Sequence, residues 1–504
     1  MREYKWLPID TPSIMFSAIS SATWGRTIRM AVVFKEHTIQ EGILRQAVAD
    51  LQNRFPVYFA YLKRGFFWNY LQQTDAMPEI CPEDGKALHP IVLHKDEKPD
   101  FRIVYSGRRL AFECAHYITD GHGLQAFLLA LVQRYMILAG LTEDAEQDGI
   151  LYWKDSADAG EWEDSFLKYG DNEQEKAKSV NQDVWHFDLA CEKDALYLTY
   201  FLMNVSEIKE KSAALGVTLT EYLTAAYMLA IIRTAKNKIE KPVCVDIPVN
   251  LRRFFETATL RSFVYQVSTV LDTEGRQDWT LTEIAAKIKG QVASQLNQQA
   301  LQSILKKLTG LAKNPVVRLV PNVIKLPVLR VLQKRSHANQ STIFTNLGNV
   351  SLPQEIAQHI ERLELVNGDT SGYGLPATCS GVSFNGQFVF CISSNSGENA
   401  VWKELASILT AEGLAVRVEC SYADKKKEEQ TKVGHTLCES CGVLLPTDYA
   451  VCPLCGKKPV HTDNNAFTSV PVAYPAAQCH AEKYENKEKV QYDIKCRLQA
   501  YFHF

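Results

Sequence analysis

Residues 109–123 read RLAFECAHYITDGHG. Leu110, Phe112, Cys114 and His116 are spaced two apart, as on one face of a strand. From Gly123 to Ala139 the apolar residues Leu124, Phe127, Leu128, Leu131, Tyr135 and Leu138 recur at helical spacing. The pattern H-x-x-x-D-G, His116 to Gly121, therefore lies where a strand ends and a helix begins. An imidazole at a strand end can act as a general base near neutral pH. The aspartate four residues on can hold the turn and face away from the chemistry, and the glycine lets the backbone bend or approach a ligand closely. By itself the pattern is short enough to arise by chance, and a lone histidine is more often a satisfied structural residue. Its surroundings have to decide.

The flanking elements read as α/β. Thr27 to Phe34 is a strand, and residues 38–53 an amphipathic helix stopped at Pro56. Residues 57–62 and 66–71 pair as a hairpin around Arg64-Gly65, and residues 102–105 pair with 109–116 around Ser106-Gly107. From Thr142 to Asp183 the chain turns acidic and loses periodicity, a connection between two halves. In the second half, Ser206 reads as the N-cap of a helix and Thr218 as the cap of another over 220–235. Residues 243–250 and 262–271 read as strands, 281–308 as one long helix, 344–346, 384–385 and 388–393 as strands, and 402–412 as a closing helix. Cys244, Asp246, Pro248, Asn250 and Arg252 share one face of the strand that runs into Arg252. Asp246, Asn250 and Arg252 would be expensive in a dry core without partners, so this face is read as a polar strip on a cleft. Arg252 suits Asp120, since a guanidinium fork matches a carboxylate.

These residues resemble a known superfamily: chloramphenicol acetyltransferase, the condensation domains of peptide synthetases, and the alcohol and wax-ester acyltransferases. The resemblance covers roughly residues 1 to 420. It rests on LRQAVADLQNRFP (44–56), AHYITDGHG (115–123), DIPVNLRRFF (246–255) with TLRSFVYQVST (259–269), and FTNLGNVSLP (344–353). It implies an α/β fold of two similar subdomains around a central tunnel, 1–183 and 184–420, where donor thioester and acceptor meet at His116. The implied reaction is acyl transfer from coenzyme A, or from a carrier-protein arm, to the hydroxyl or amine of a small-molecule or lipid acceptor. Thioesters are activated enough that no enzyme nucleophile is needed. On this reading His116 is the base, and Asp120, Gly121 and Arg252 are structural. His122 is structural or solvent-facing. Thr345, Asn346 and Asn250 are candidates for oxyanion or tunnel roles. Many relatives carry a second histidine where this chain has Ala115. The alternatives are a stand-alone condensation-type enzyme using a carrier-protein donor, and a non-catalytic scaffold.

Beyond a charged linker over 421–434, residues 435–460 carry Cys438-x-x-Cys441 and Cys452-x-x-Cys455, each pair ending in Cys-Gly. Four soft ligands in two knuckles favour tetrahedral zinc, and the segment resembles a zinc ribbon. Iron in similar knuckles, two disulfides or a redox pair are the other readings. With no open ligand position the site is structural, or a dock for a protein partner. Residues 461–504 form a mostly polar tail.

Composition bounds the rest. The chain has 504 residues, too many for one ordinary core, and is 46% hydrophobic and 22% charged. A formal net charge of −3 gives no reason to expect nucleic acid. No run of about twenty apolar residues suggests a transmembrane helix, and the N-terminus lacks the pattern of a secretory signal. The remaining cysteines are scattered singly, several in apolar strand-like runs, as in a reducing cytoplasm. Residues 315–335 mix Val, Leu and Ile with five Lys or Arg. Pro321 and Pro327 are expected to break this stretch into packed helices with solvated basic edges; the alternative is a segment lying on a membrane surface.

Overall fold

Local sequence sets most of the elements in the N-terminal half. The computed structural model describes residues 6–19, 27–84, 88, 91, 97–170, 183–192, 195–235, 239–368, 375–421, 435–437 and 444–446. The half opens with β1 (Trp6–Pro8) and α1 (Thr11–Ile19). β2 (Thr27–Phe34) is buried at every position, because layers cover both its faces. α2 (Glu41–Asp50) buries Leu44, Ala47 and Val48. β3 (Ala60–Arg64) and β4 (Asn69–Gln73) form the first hairpin, followed by β5 (Glu79–Pro82). β6 (Phe101–Ser106) and β7 (Arg109–Ala115) form the second, turning at Gly107 with φ +52°. β7 leads into α3 (Gly121–Leu138), and a short helix α4 (Ser165–Tyr169) precedes the second half.

In that half β8 (Tyr197–Asn204) runs into α5 (Val205–Ala214). The cap of α5 is Asn204, whose side chain accepts from Ser206 N; Ser206 belongs to the first turn and is not the cap. α6 (Leu219–Thr234) starts with a capping box between Thr218 and Glu221. β9 (Val243–Asn250) ends before Arg252, which sits on a 3₁₀ turn over Leu251–Arg253, so the polar strip leaves the strand at Asn250. β10 (Val264–Leu271) follows. The expected continuous helix over 281–308 is two, α7 (Leu281–Gln295) and α8 (Gln298–Lys313), because Asn297 turns out of helical conformation to cap the second through Ala300 N. α9 (Pro315–Leu319) and α10 (Asn322–His337) come next. Pro321 separates them, but Pro327 is carried inside α10. Then follow β11 (Thr342–Asn349), α11 (Gln354–Ala357), β12 (Ile360–Val366), β13 (Ala377–Phe384), β14 (Gln387–Ser394), α12 (Ala400–Ala411) and β15 (Arg417–Ser421). Asn385, read as strand, is with Gly386 the turn of the β13–β14 hairpin, both at positive φ. The last described pair is β16 (His435–Leu437) and β17 (Leu444–Pro446).

The sheets show how the halves interlock. The order β12-β2-β7-β6-β5 puts a strand of the second half at the edge of the first sheet, with β12 antiparallel to β2. The division at residue 183 therefore does not separate two self-contained sheets. Buried ion pairs hold this exchange: Glu364 accepts from Arg109 of β7 at 3.0 Å and Arg362 at 2.9 Å, and Arg362 reaches Glu419 of β15 at 2.9 Å. Burial alone would raise the Glu364 carboxyl, but the two guanidinium groups hold it down at about 2. The larger sheet runs β10-β9-β11-β13-β14-β8-β15-β17-β16. Within it β9 and β11 are parallel partners only at Val245 and Asp246. Beyond that point each strand pairs only with its other neighbour. Among the described residues no single helix is long and apolar enough to cross a membrane. The four ribbon cysteines, residues 422–434 and the tail lie outside the described residues.

Candidate active site

Almost every residue of the turn after β7 has a defined task. Phe127 of α3 packs among Phe112 of β7, Phe101 and Tyr58, at centroid distances of 4.4 to 5.4 Å, which seats the start of α3 against the end of β7. The Tyr117 hydroxyl donates to Asp100 Oδ2 at 2.6 Å. Burial pushes the Asp100 carboxyl up to about 7, against that hydrogen bond and one from Leu62 N. Ile118 is fully buried in the core. The Thr119 hydroxyl donates to Leu260 O at 2.6 Å.

His116 is half-buried, and its Nδ1 lies 3.1 Å from Thr119 O. A carbonyl oxygen only accepts, so Nδ1 carries a proton, and in the neutral ring the lone pair is then on Nε2. Phe16 of α1 stacks on the imidazole at 4.4 Å between centroids. Asp120 is buried, with both carboxylate oxygens occupied. Oδ1 accepts from His122 N and Gly123 N at the start of α3; Oδ2 accepts from Arg252 Nη1 and Phe263 N, both at 2.8 Å. Burial disfavours its charge, yet Arg252 and these donors hold the carboxyl below its ordinary value. Arg252 also donates from Nε to Thr259 O, from Nη1 to Asn250 Oδ1 and from Nη2 to Arg261 O. Asn250 Oδ1 further accepts from Arg252 N, so that side chain is engaged in holding Arg252.

Two glycines are required by approach. A Cβ on Gly121 would come within 2.5 Å of Leu347 Cδ2, so the H-x-x-x-D-G turn packs directly on the T-N-L-G segment of β11. A Cβ on Gly123 would meet Leu260 O at 2.0 Å and Thr119 Oγ1 at 2.1 Å. Gly121→Ala displaces only the end of a flexible leucine, whereas Gly123→Ala must move backbone. Gly123→Ala is expected to lower stability by about 1–3 kcal/mol or more, and Gly121→Ala by clearly less. Denaturant midpoints of the two variants check the order. His122 is solvent-exposed. On β11, Asn346 donates to Thr220 Oγ1 at 2.9 Å and accepts from Gly348 N, shaping the irregular pairing before Asn349. Asn367 Nδ2 donates to Thr345 Oγ1 at 3.3 Å.

The structure thus brings together His116, Asp120, Gly121, Arg252, Asn250 and, through Leu347, the segment carrying Thr345 and Asn346. Reading the sequence missed Phe16, Tyr58, Asp100 and the tight seat of Gly123. Nothing local marks Phe16, but the second glycine of D-G-H-G is a visible signal. A cavity of about 790 Å³ lies along the other end of α1, walled by Ile9, Thr11, Ile14, Trp68, Tyr70 and Leu167.

The architecture places the chain in the two-subdomain α/β fold of the chloramphenicol acetyltransferase-like and condensation-domain type. No family model and no curated protein matches the sequence. Among solved structures, trichothecene 15-O-acetyltransferase TRI3 from Fusarium sporotrichioides aligns with a TM-score of 0.52, 12% identity, 80% of this chain and 93% of its own. TRI101 of F. graminearum, in complex with coenzyme A and T-2 mycotoxin, gives 0.52, 11%, 81% and 97%. The epimerization domain of the third module of tyrocidine synthetase B gives 0.51, 14%, 81% and 95%.

Proposed function

We propose that the chain is an acyltransferase that moves an acyl group from an acyl-CoA thioester to a hydroxyl or amine, with His116 as general base. The observation that carries this reading is the Nδ1–Thr119 O contact, which leaves the lone pair on Nε2. As the acceptor attacks the thioester carbonyl, Nε2 takes its proton. The tetrahedral intermediate then expels the CoA thiolate, and the imidazolium returns the proton to it. Asp120 is not a proton carrier, since four donors already saturate its carboxylate; it fixes the turn that aims His116. Thr345 or Asn346 on β11, next to the Leu347 that packs on Gly121, is the candidate to line the tunnel or meet the oxyanion. The apolar cavity along α1 suits the acceptor's hydrocarbon part. The fold shared with an acetyltransferase and with a structure holding coenzyme A supports a CoA donor. The likeness to a synthetase epimerization domain keeps a carrier-protein donor as the second reading. A screen of acyl-CoAs against alcohols and amines, followed by free thiol release, is the test. Turnover with acyl-carrier thioesters alone would select the second reading; no turnover with either donor would leave a scaffold.

We further propose that Cys438, Cys441, Cys452 and Cys455 hold one structural zinc. The register of β16 and β17 supports this: Leu437 pairs with Leu444, and the six residues between them in sequence include the first Cys-x-x-Cys. β17 also pairs with β15 at Arg417, so the hairpin extends the larger sheet and can offer a dock to a protein partner. Metal analysis of protein purified under reducing conditions should find about one zinc per chain; metal-free protein would refute the site. The buried thiols Cys114, Cys244, Cys379 and Cys391 fit a reducing cytoplasm.

A further inference from the structure

α10 is mounted with the wrong face outward for water. Its inward face is fastened by polar groups. Asn322 Nδ2 donates to Gly65 O at 2.7 Å and Asn69 Oδ1 at 3.2 Å; Lys325 Nζ donates to Phe67 O at 2.7 Å and sits 3.3 Å from the Trp68 ring centroid; Arg330 Nε donates to Ala18 O at 2.8 Å. Only Leu329 among the apolar residues of α10 is fully buried, against Ile14 and Ala18 of α1. Val323, Ile324, Val328, Val331 and Leu332 are 45% to 79% exposed. Their spacing confines them to one half of the helix circumference. The patch continues onto Val316 and Leu319 of α9, and onto Phe66 at the tip of the β3–β4 hairpin, each about 70% exposed. Single exposed apolar residues are ordinary, but a contiguous face of this kind marks an interaction surface.

Charge selects the occupant. In a chain of net charge −3, residues 284 to 354 contain ten Lys or Arg and no Asp or Glu. Arg318 and Arg335 are exposed beside the apolar face. We infer that α9, α10 and the Phe66 hairpin tip form a docking surface for an anionic phospholipid bilayer. The apolar side chains enter the headgroup–acyl boundary and the cations meet lipid phosphates. Such a surface lies flat on the membrane and does not span it. The α1 cavity, whose lining includes Trp68, Lys313 and Arg318, lies beside it. Docking of this kind would present that cavity to molecules dissolved in the bilayer.

The test is flotation of the full-length protein with vesicles of phosphatidylcholine mixed with phosphatidylglycerol, and of phosphatidylcholine alone. The wild type should float with the mixed vesicles only, and high salt should weaken it. Val323→Asp combined with Val331→Asp should lower the bound fraction by about tenfold or more, with an unchanged melting curve because both sites are exposed. Arg318→Gln with Arg335→Gln should weaken binding less. No flotation, equal flotation on phosphatidylcholine alone, or undiminished flotation of the double aspartate variant would each overturn the inference. So would concentration-dependent self-association of the wild type that the aspartates abolish without any lipid binding, since the face would then belong to a second copy.

Discussion

His116→Ala is expected to reduce thiol release from acyl-CoA, in the presence of an acceptor, by about a hundredfold or more. The loss should fall on kcat and spare KM for the donor, because the imidazole acts only as the acceptor's proton leaves. Stability should change little. His116 is only half-buried, and the strand–turn–helix is held by Tyr117, Thr119 and Asp120 through contacts that do not pass through the ring. Residual turnover above background would reflect the thioester's own reactivity and the binding of two substrates side by side. An unchanged rate would remove His116 as the base. Position 115, where many relatives carry a second histidine, is here Ala115, buried and paired with Thr27, so it supplies no imidazole to substitute.

Arg252→Ala should produce the largest loss of stability among single changes at the site. It strands the Asp120 carboxylate in a buried position and frees the carbonyls of Thr259 and Arg261. Breaking a buried pair from one side costs about 3–5 kcal/mol, read as a fall in the urea midpoint. Arg252→Lys keeps the charge but not the fork, and should recover only part of it. The pH dependence has a fixed sign. Asp120 is held below its ordinary 3.8, so the pair's contribution is complete above about pH 4 and is lost as acid protonates the folded carboxylate. The gap between wild type and Arg252→Ala should therefore be full at neutral pH and narrow below about pH 4. Equal midpoints at neutral pH would show that Asp120 is held by backbone donors alone.

How much of this was legible beforehand follows from the range of each interaction. The strand, turn and helix around His116, the capping box at Thr218 and the second hairpin are made by residues a few positions apart, so their patterns stand in the sequence. The Asp120–Arg252 partnership was also legible, since an arginine on a polar strand face needs a partner and a guanidinium fork suits a carboxylate. The break at Asn297 was not, because apolar spacing continues across it and only the cap interrupts the helix. Nor was the cap of α5: Ser206 suits a cap by residue type, but β8 ends at Asn204, whose side chain takes Ser206 N two residues on.

By itself, then, the sequence marked the strand, the turn and the helix around His116 by local spacing, and proposed Arg252 as the partner of Asp120 from the cost of unpaired charge; the proposed role of His116 as base came from the resemblance. Tertiary structure alone decided that β12 completes the first sheet, that Gly123 must admit Leu260 O, and that Phe16 covers the His116 ring. It also decided which side of α10 faces outward. A helical pattern says that an apolar stripe exists; only the partners of Asn322, Lys325 and Arg330, brought from the β3–β4 hairpin and α1, say that the stripe points away from the core.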